Sequence, residues 1–259
     1  MTYRTDVEYR DGKLAVRHDT SADAKKPLPA VEVSDRLASD KWEVGFKKEL
    51  SKYGYDGDHS LLSVLAAQRG MAETAQRLIK MRDNQHPSDT QYQHLNKVAR
   101  EYDQSMQRHA TANDRARNTI RIRLQQVEDE FRESISYDTK DAQEIRAVLR
   151  EMKPADRSEA INSAIGNADG NVLAAILDAN PIAVGLTKEQ QQNYRAAALN
   201  AHRPDLLALE RELKRADELV FSSYNDLLSM DDTVTAKKVR SHYQELAEQA
   251  EQNASQQWG

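Results

Sequence analysis

The chain has 259 residues, enough for one domain or two, of which 39% are hydrophobic and 31% charged. Nine glycines, six prolines and a preponderance of Ala, Leu, Gln, Glu and Arg favour helices, and three Phe with two Trp are too few for a large aromatic core. A net charge of −5 gives no general attraction to nucleic acid or an anionic membrane, and zero cysteines exclude disulfide scaffolds, thiolate metal sites and cysteine nucleophiles.

The opening residues, MTYRTDVEYRDGK, lack the apolar core of a signal peptide, and no apolar run is long enough to span a bilayer. The expectation is a protein made in the cytoplasm, with no membrane span. Residues 3–18 carry the one convincing β signal: Val7 and Tyr9, then Leu14 and Val16, alternate with polar residues around Asp11-Gly12, a dipeptide suited to a hairpin turn. Residues 20–30 read as a linker.

Ser34 or Asp35 is placed to cap a first helix carrying Leu37, Trp42, Phe46 and Leu50. Trp42 and Phe46 either pin that helix to a bundle or offer a docking face. The turn around Asp56-Gly57-Asp58-His59 has a metal-like look but lacks the later oxygen ligands of a calcium loop, so Asp58 is expected to cap the next helix. That helix shows Leu61, Val64, Leu65, Gln68, Met71, Ala75 and Leu78 at alternating gaps of three and four.

After His86-Pro87 comes a stretch of about fifty residues to Tyr137 with no Gly or further Pro. Its seam reads Tyr92, Leu95, Ala99, Tyr102, Met106, His109, Asn113, Ala116 and Ile120, the heptad spacing of a helix lying along a partner for many turns. Leu124, Val127, Phe131 and Ile135 then follow a longer repeat. A continuous helix is expected, with a break near Thr111–Asn113 as the competing reading. Arg108, Arg115, Arg117, Arg121 and Arg123 crowd its middle, and Glu128, Asp129, Glu130 and Glu133 follow. The acidic block opposes a phosphate backbone along the helix, and no aromatic residues interleave with the arginines for stacking. Salt-bridged or solvated faces are therefore expected, with nucleic-acid binding through these five arginines as the alternative.

Shorter helices are expected over 142–152, 154–165 and 171–179, divided by Gly166-Asn167, Asp169-Gly170 and Asn180-Pro181. Thr187 with Gln190 forms a capping box. Beyond Arg203-Pro204, two heptad helices separated by Asp231-Asp232 should make an antiparallel hairpin. The last residues are polar apart from Trp258, either a loose tail or an anchor for a partner.

The seven histidines are scattered, and no His-Glu-x-x-His, phosphate-binding glycine loop or Gly-x-Ser-x-Gly elbow occurs. No catalytic residue, metal ligand or cofactor site is expected, and the chain reads as a non-enzyme. The expected fold is mostly α: an elongated antiparallel helical bundle with a long central helix, a small helical lobe and an N-terminal β-hairpin. Its parts are an arm and linker at 1–30, a long helical hairpin region at 31–137, a lobe of small helices at 138–202, a C-terminal hairpin at 203–252 and a tail at 253–259.

The run NVLAAILDANPIAVGLTKEQQQNYRAAALNAHRPDLLALE, within residues 171–216, resembles a segment found in uncharacterised helical proteins of tailed bacteriophages and prophages. The likeness lies in the order: an apolar helix, Pro, Gly-Leu-Thr, a Gln/Tyr helix, then His-x-Pro-Asp-Leu. It implies a phage origin and a virion-associated or accessory role, and no functional residue is carried over from it. The expected function is a structural or interaction protein, such as a scaffold, connector or internal virion component. It would act through helical contacts with phage structural proteins or with further copies of itself, using Trp42, Phe46 and Trp258. A cytoplasmic bacterial adaptor or regulator is a further alternative, differing only in its partner.

Overall fold

The computed structural model describes residues 25–38 and 41–257, together with the backbone at 7–10 and 13–16. Two short strands, β1 (Val7–Arg10) and β2 (Lys13–Val16), pair antiparallel with Val7 opposite Val16. The expected turn at Asp11-Gly12 lies outside the described residues, as does Trp258.

The rest is helical. In chain order come α1 (Asp35–Ala38), α2 (Lys41–Leu50), α3 (His59–Asp83) and α4 (Gln91–Ser134). Then follow α5 (Ala142–Glu151), α6 (Pro154–Gly166), α7 (Gly170–Leu177), α8 (Lys188–His202), α9 (Pro204–Ser229), α10 (Asp231–Val234) and α11 (Lys237–Gln257). The helix α4 is unbroken through Thr111–Asn113. It begins later than the proline at 87 implies because Thr90 and Gln93 close a capping box: the Thr90 hydroxyl accepts from the Gln93 N–H, and the Gln93 side chain accepts from the Thr90 N–H.

Two compact units are formed, one from Val33–Arg77 and Gln104–Ser229, the other from Met1–Glu32, Leu78–Asp103 and Met230–Gly259. The division falls inside the expected ranges 31–137 and 203–252. In the larger unit α3 runs antiparallel to α4, with Ser60 reaching the Thr119 carbonyl and Thr74 meeting His109. Their facing seams are apolar because the heptad period keeps one stripe inward: Leu61, Val64, Met71 and Ala75 on α3, with Met106, Ala116 and Ile120 on α4, are buried. Next comes α9, antiparallel to the C-terminal part of α4 and burying Leu206, Leu209, Leu213, Ala216 and Val220. Both α1 and α2 pack on α9.

The short helices α5 to α8 make the lobe. Here α5 packs on α7 and on the 3-10 turn Pro181–Val184, α6 packs on α7 and α8, and α8 packs on α9. Gly170 opens α7 under the end of α4, where a Cβ would fall inside contact distance of the Ile135 and Ser136 carbonyl oxygens. Asp169 caps α7 through the Asn171 and Val172 N–H groups, and Thr187 caps α8 in the expected box with Gln190.

In the smaller unit, the described part of the stretch read as a linker, residues 25–30, is tied down. The Gln91 side-chain amide accepts from the Lys26 N–H and donates to the Lys26 carbonyl, both at 2.8 Å. Buried Arg82 donates to the Pro29 carbonyl, and Tyr243 donates to Gln91 at 2.7 Å. Leu95, Val98, Ala99 and Tyr102 of α4 and Met230, Val234 and Ala236 make this unit's core.

Two local expectations are corrected. Ser34 does not cap α1 with its side chain; its hydroxyl donates to Asp226, which also accepts two bonds from Arg36. The expected first helix is described as α1 and α2, and residues 39 and 40 between them lie outside the described residues. Asp231-Asp232 opens the one-turn helix α10 rather than capping the last helix, because Ala236 takes a positive φ of 47° and restarts the chain at Lys237.

Candidate functional site

The arginine cluster was one candidate, and the bundle absorbs much of it. Half-buried Arg117 donates from Nε and Nη2 to the two oxygens of Asp217 at 2.8 and 3.2 Å, with its guanidinium 4.9 Å from the Phe221 ring centre. Arg123 donates to Asp58 at 3.0 Å and to Glu130 at 2.6 Å. The other Asp58 oxygen caps α3 through the Ser60 and Leu61 N–H groups, so one carboxylate holds both a helix end and a cross-helix ion pair. Arg108 bonds the Gln104 carbonyl and the Ser105 hydroxyl of its own helix. Arg115 and Arg121 are exposed and carry no ion pair among the described residues. A five-arginine phosphate-binding surface is therefore not what the fold presents.

Phe46 is wholly buried and stacks on half-buried Trp42 at 4.7 Å between ring centres. The pair fastens α2 to the bundle, which removes Phe46 from the partner-docking candidates and leaves Trp42 only a partial face.

Two charge networks brace the larger unit. In the first, Tyr55 donates to Asp205, Arg203 donates twice to that carboxylate from Nε and once from Nη2, and Arg203 also lies 3.7 Å from Glu130. The Arg203 hydrogen bonds hold the Asp205 carboxyl below its ordinary range despite partial burial. In the second, Arg195 of α8 bridges Glu128 of α4 and Glu210 of α9, and Arg132 joins through Glu128 and Asp178. Burial works to raise the Glu128 carboxyl, but the hydrogen bonds and charges of Arg195 and Arg132 outweigh it and hold it low. The Tyr137 hydroxyl, buried beside Asp178, is pushed well above its usual range, chiefly by burial. Every charge in these networks is matched, which is the signature of a brace rather than of a reacting group held ready.

Among the described residues no set of three His, Asp or Glu side chains is placed to hold a metal ion. His94 and His202 bond backbone carbonyls, of Arg82 and Ile165 respectively, and His109 meets Thr74, so three of the seven histidines serve packing. No helix among the described residues is long and apolar enough to cross a membrane.

The lobe holds the feature that internal packing leaves unused. Between α5 and α7 lies a groove of about 500 Å³, floored by Ile145, Val148, Leu149, Met152, Ala160 and Val172. Val148 is 54% exposed. Three carboxylates, Asp141, Glu144 and Asp169, stand at its edge, and no Lys or Arg lines it. Asp169 is committed to capping α7, whereas Asp141 and Glu144 have no ion-pair partner among the described residues. One wall is stiffened by Arg157, which lays its guanidinium across the end of α5. It donates to the Leu149 carbonyl at 2.7 Å and to that of Met152 at 2.9 Å, and it also reaches the Gly185 carbonyl. The Leu149 and Met152 carbonyls lie at the C-terminal end of α5, where the helix itself leaves carbonyls unsatisfied. Gln191 does the same for α7, donating to the Ile176 and Ala179 carbonyls at 2.7 and 2.8 Å.

No groove residue stood among the sequence-derived site candidates. Ile145, Val148 and Leu149 of α5, with Met152 just beyond it, fall at the three-and-four spacing of an ordinary amphipathic face, so the sequence carries no signal that sets the groove apart. Compared with known proteins, the chain matches no family model, no curated protein and no solved structure.

Proposed function

We propose that this protein is a non-enzymatic helical interaction protein whose lobe docks a basic, apolar helical segment of a protein partner. The observation that carries this is the groove between α5 and α7, apolar in its floor and acidic at its edge, with Asp141 and Glu144 unspent on internal pairs. Solvated carboxylates flanking an apolar cleft favour a partner that brings cations around an apolar anchor, and the cations set orientation and on-rate more than affinity. The charge networks elsewhere are consumed in bracing, which supports a scaffold-like role over a chemical one.

The resemblance of residues 171–216 to helical proteins of tailed phages supports a virion-associated role as scaffold, connector or internal protein. Residues of that segment also build α7 and the brace through α8 and α9, so the likeness falls on the same lobe. The test is binding of a synthetic amphipathic helix carrying Leu and Lys on one face, followed by calorimetry on the full chain. Binding lost in Val148→Asp supports the reading, and binding absent or indifferent to Val148→Asp removes it.

The nucleic-acid alternative retains two exposed, unpaired guanidiniums, Arg115 and Arg121. Replacing both should leave any binding to DNA or RNA unchanged unless they are its anchors, and such binding would fall steeply with salt.

A further inference from the structure

The exposed face of α4 in the larger unit carries a line of residues at heptad spacing. Arg108, Arg115, Ile122 and Asp129 recur every seven residues, and all four are exposed. Seven residues return an α-helix to nearly the same face, so they form one stripe. Ile122 is 53% exposed, an apolar knob on an otherwise polar face. Arg115 precedes it by two turns, about 10 Å along the axis at 1.5 Å per residue.

The groove has the complementary spacing. Val148, its most exposed apolar residue, follows Asp141 by seven positions and Glu144 by four. From Asp141, which immediately precedes α5, to Val148 the separation along the axis is again about 10 Å. A helix laid parallel to α5 with an apolar knob on Val148 would thus set a cation two turns earlier against Asp141 and Glu144. Arg115 and Ile122 have that order, spacing and charge.

We infer that the groove is an assembly site for a second copy of this chain, filled by the α4 face with Ile122 against Val148 and Arg115 between Asp141 and Glu144. This rests on the reading of the groove as a docking surface and names its occupant. The two patches differ, so the contact is heterologous, and repetition from copy to copy gives a closed ring or an open filament. The carboxylates stay solvated in the free chain and meet a single guanidinium in the complex, so association weakens as salt screens them.

Sedimentation velocity on the full chain, from micromolar to hundreds of micromolar and at low and molar salt, tests this. The wild-type chain should associate with concentration, less so at high salt. Ile122→Asp and Val148→Asp each remove one patch while leaving the other, and both positions are exposed, so folding is retained, as circular dichroism will show. Each variant alone should associate at least about tenfold more weakly, a loss of about 1.4 kcal/mol. Mixed, they should form a one-to-one complex through the intact patch of each, and that complex should not grow. A wild-type chain that stays monomeric throughout overturns the inference, as does association that survives in both variants. If the chain is monomeric yet still binds the amphipathic peptide through Val148, the docking groove stands and only its occupant is wrong. If neither occurs, both readings fall.

Discussion

Arg195→Ala is the sharpest probe of how the larger unit is held together. Arg195 donates to Glu128 from Nε at 3.3 Å and Nη2 at 2.6 Å, and to both oxygens of Glu210 from Nη1 at 3.0 and 2.9 Å. Glu210 has a side chain only 7% exposed, and its remaining cation, Lys214, has a side chain 64% exposed. Removing the arginine leaves two carboxylates from α4 and α9 facing each other across a half-buried gap. Breaking a buried pair by deleting one partner costs about 3–5 kcal/mol, and the 28% exposure of the Arg195 side chain brings the expectation to the low end. With a urea m-value of about 3 kcal/mol/M, the unfolding midpoint of this unit should fall by roughly 1 M. The companion variant Glu210→Gln should lose less, and the double variant should lose less than the sum, because the partners of one network are not additive. Equilibrium urea denaturation followed by circular dichroism reads all three. A loss below about 1 kcal/mol for Arg195→Ala would refute the reasoning, since it would mean the network is as well solvated as an exposed ion pair.

Four further outcomes follow from the same packing. Phe46→Ala should destabilise by about 3–5 kcal/mol, measured by thermal unfolding, because it empties a wholly buried site against Trp42. Gly170→Ala should destabilise far more than Gly57→Ala, since a Cβ at 170 meets backbone oxygens and one at 57 meets nothing. Acid should weaken the larger unit: the Glu128, Asp205 and Asp226 carboxyls are held below their ordinary values of about 4, so their stabilisation is present above that pH and lost as pH falls through their folded values. His109 has the opposite chemistry with the same direction. Burial, reinforced by Arg108 and Arg77, lowers its folded value below about 6.5, so stability drops as pH falls past that point, and His109→Gln should flatten this part of the profile.

The helices were legible because their cause is local. The seam from Leu95 to Ile120 repeats at three and four residues, and the same residues are buried or half-buried in the fold. The capping box at Thr187 was readable for the same reason, and Thr90 with Gln93 carries the same signature three residues after the proline at 87. What stayed hidden depends on residues far apart in the chain. Nothing near Arg117 announces Asp217, one hundred positions on, and nothing near Arg195 announces Glu128, sixty-seven positions back. The expectation of salt-bridged or solvated faces for the arginine cluster therefore named no partner, and two of its members, Arg117 and Arg123, pair across helices inside the bundle. The groove was hidden likewise, because its lining comes from three helices, and Arg157 and Gln191 fix the ends of two of them, α5 and α7, through backbone carbonyls. Such bonds recognise no sequence at their acceptor, so no pattern records them.

Because the chain has no cysteine, a disulfide can form only between introduced thiols. The most direct test of the docking account is to mix Ile122→Cys and Val148→Cys chains under mild oxidation and weigh the products on non-reducing gels. A disulfide needs Cβ atoms within about 4.5 Å, so only a contact that brings these two positions together will trap it. The account predicts the mixed dimer as the main product, at micromolar concentrations and suppressed by molar salt. No cross-link, or mixed and like pairs in the proportions of random collision, would contradict it.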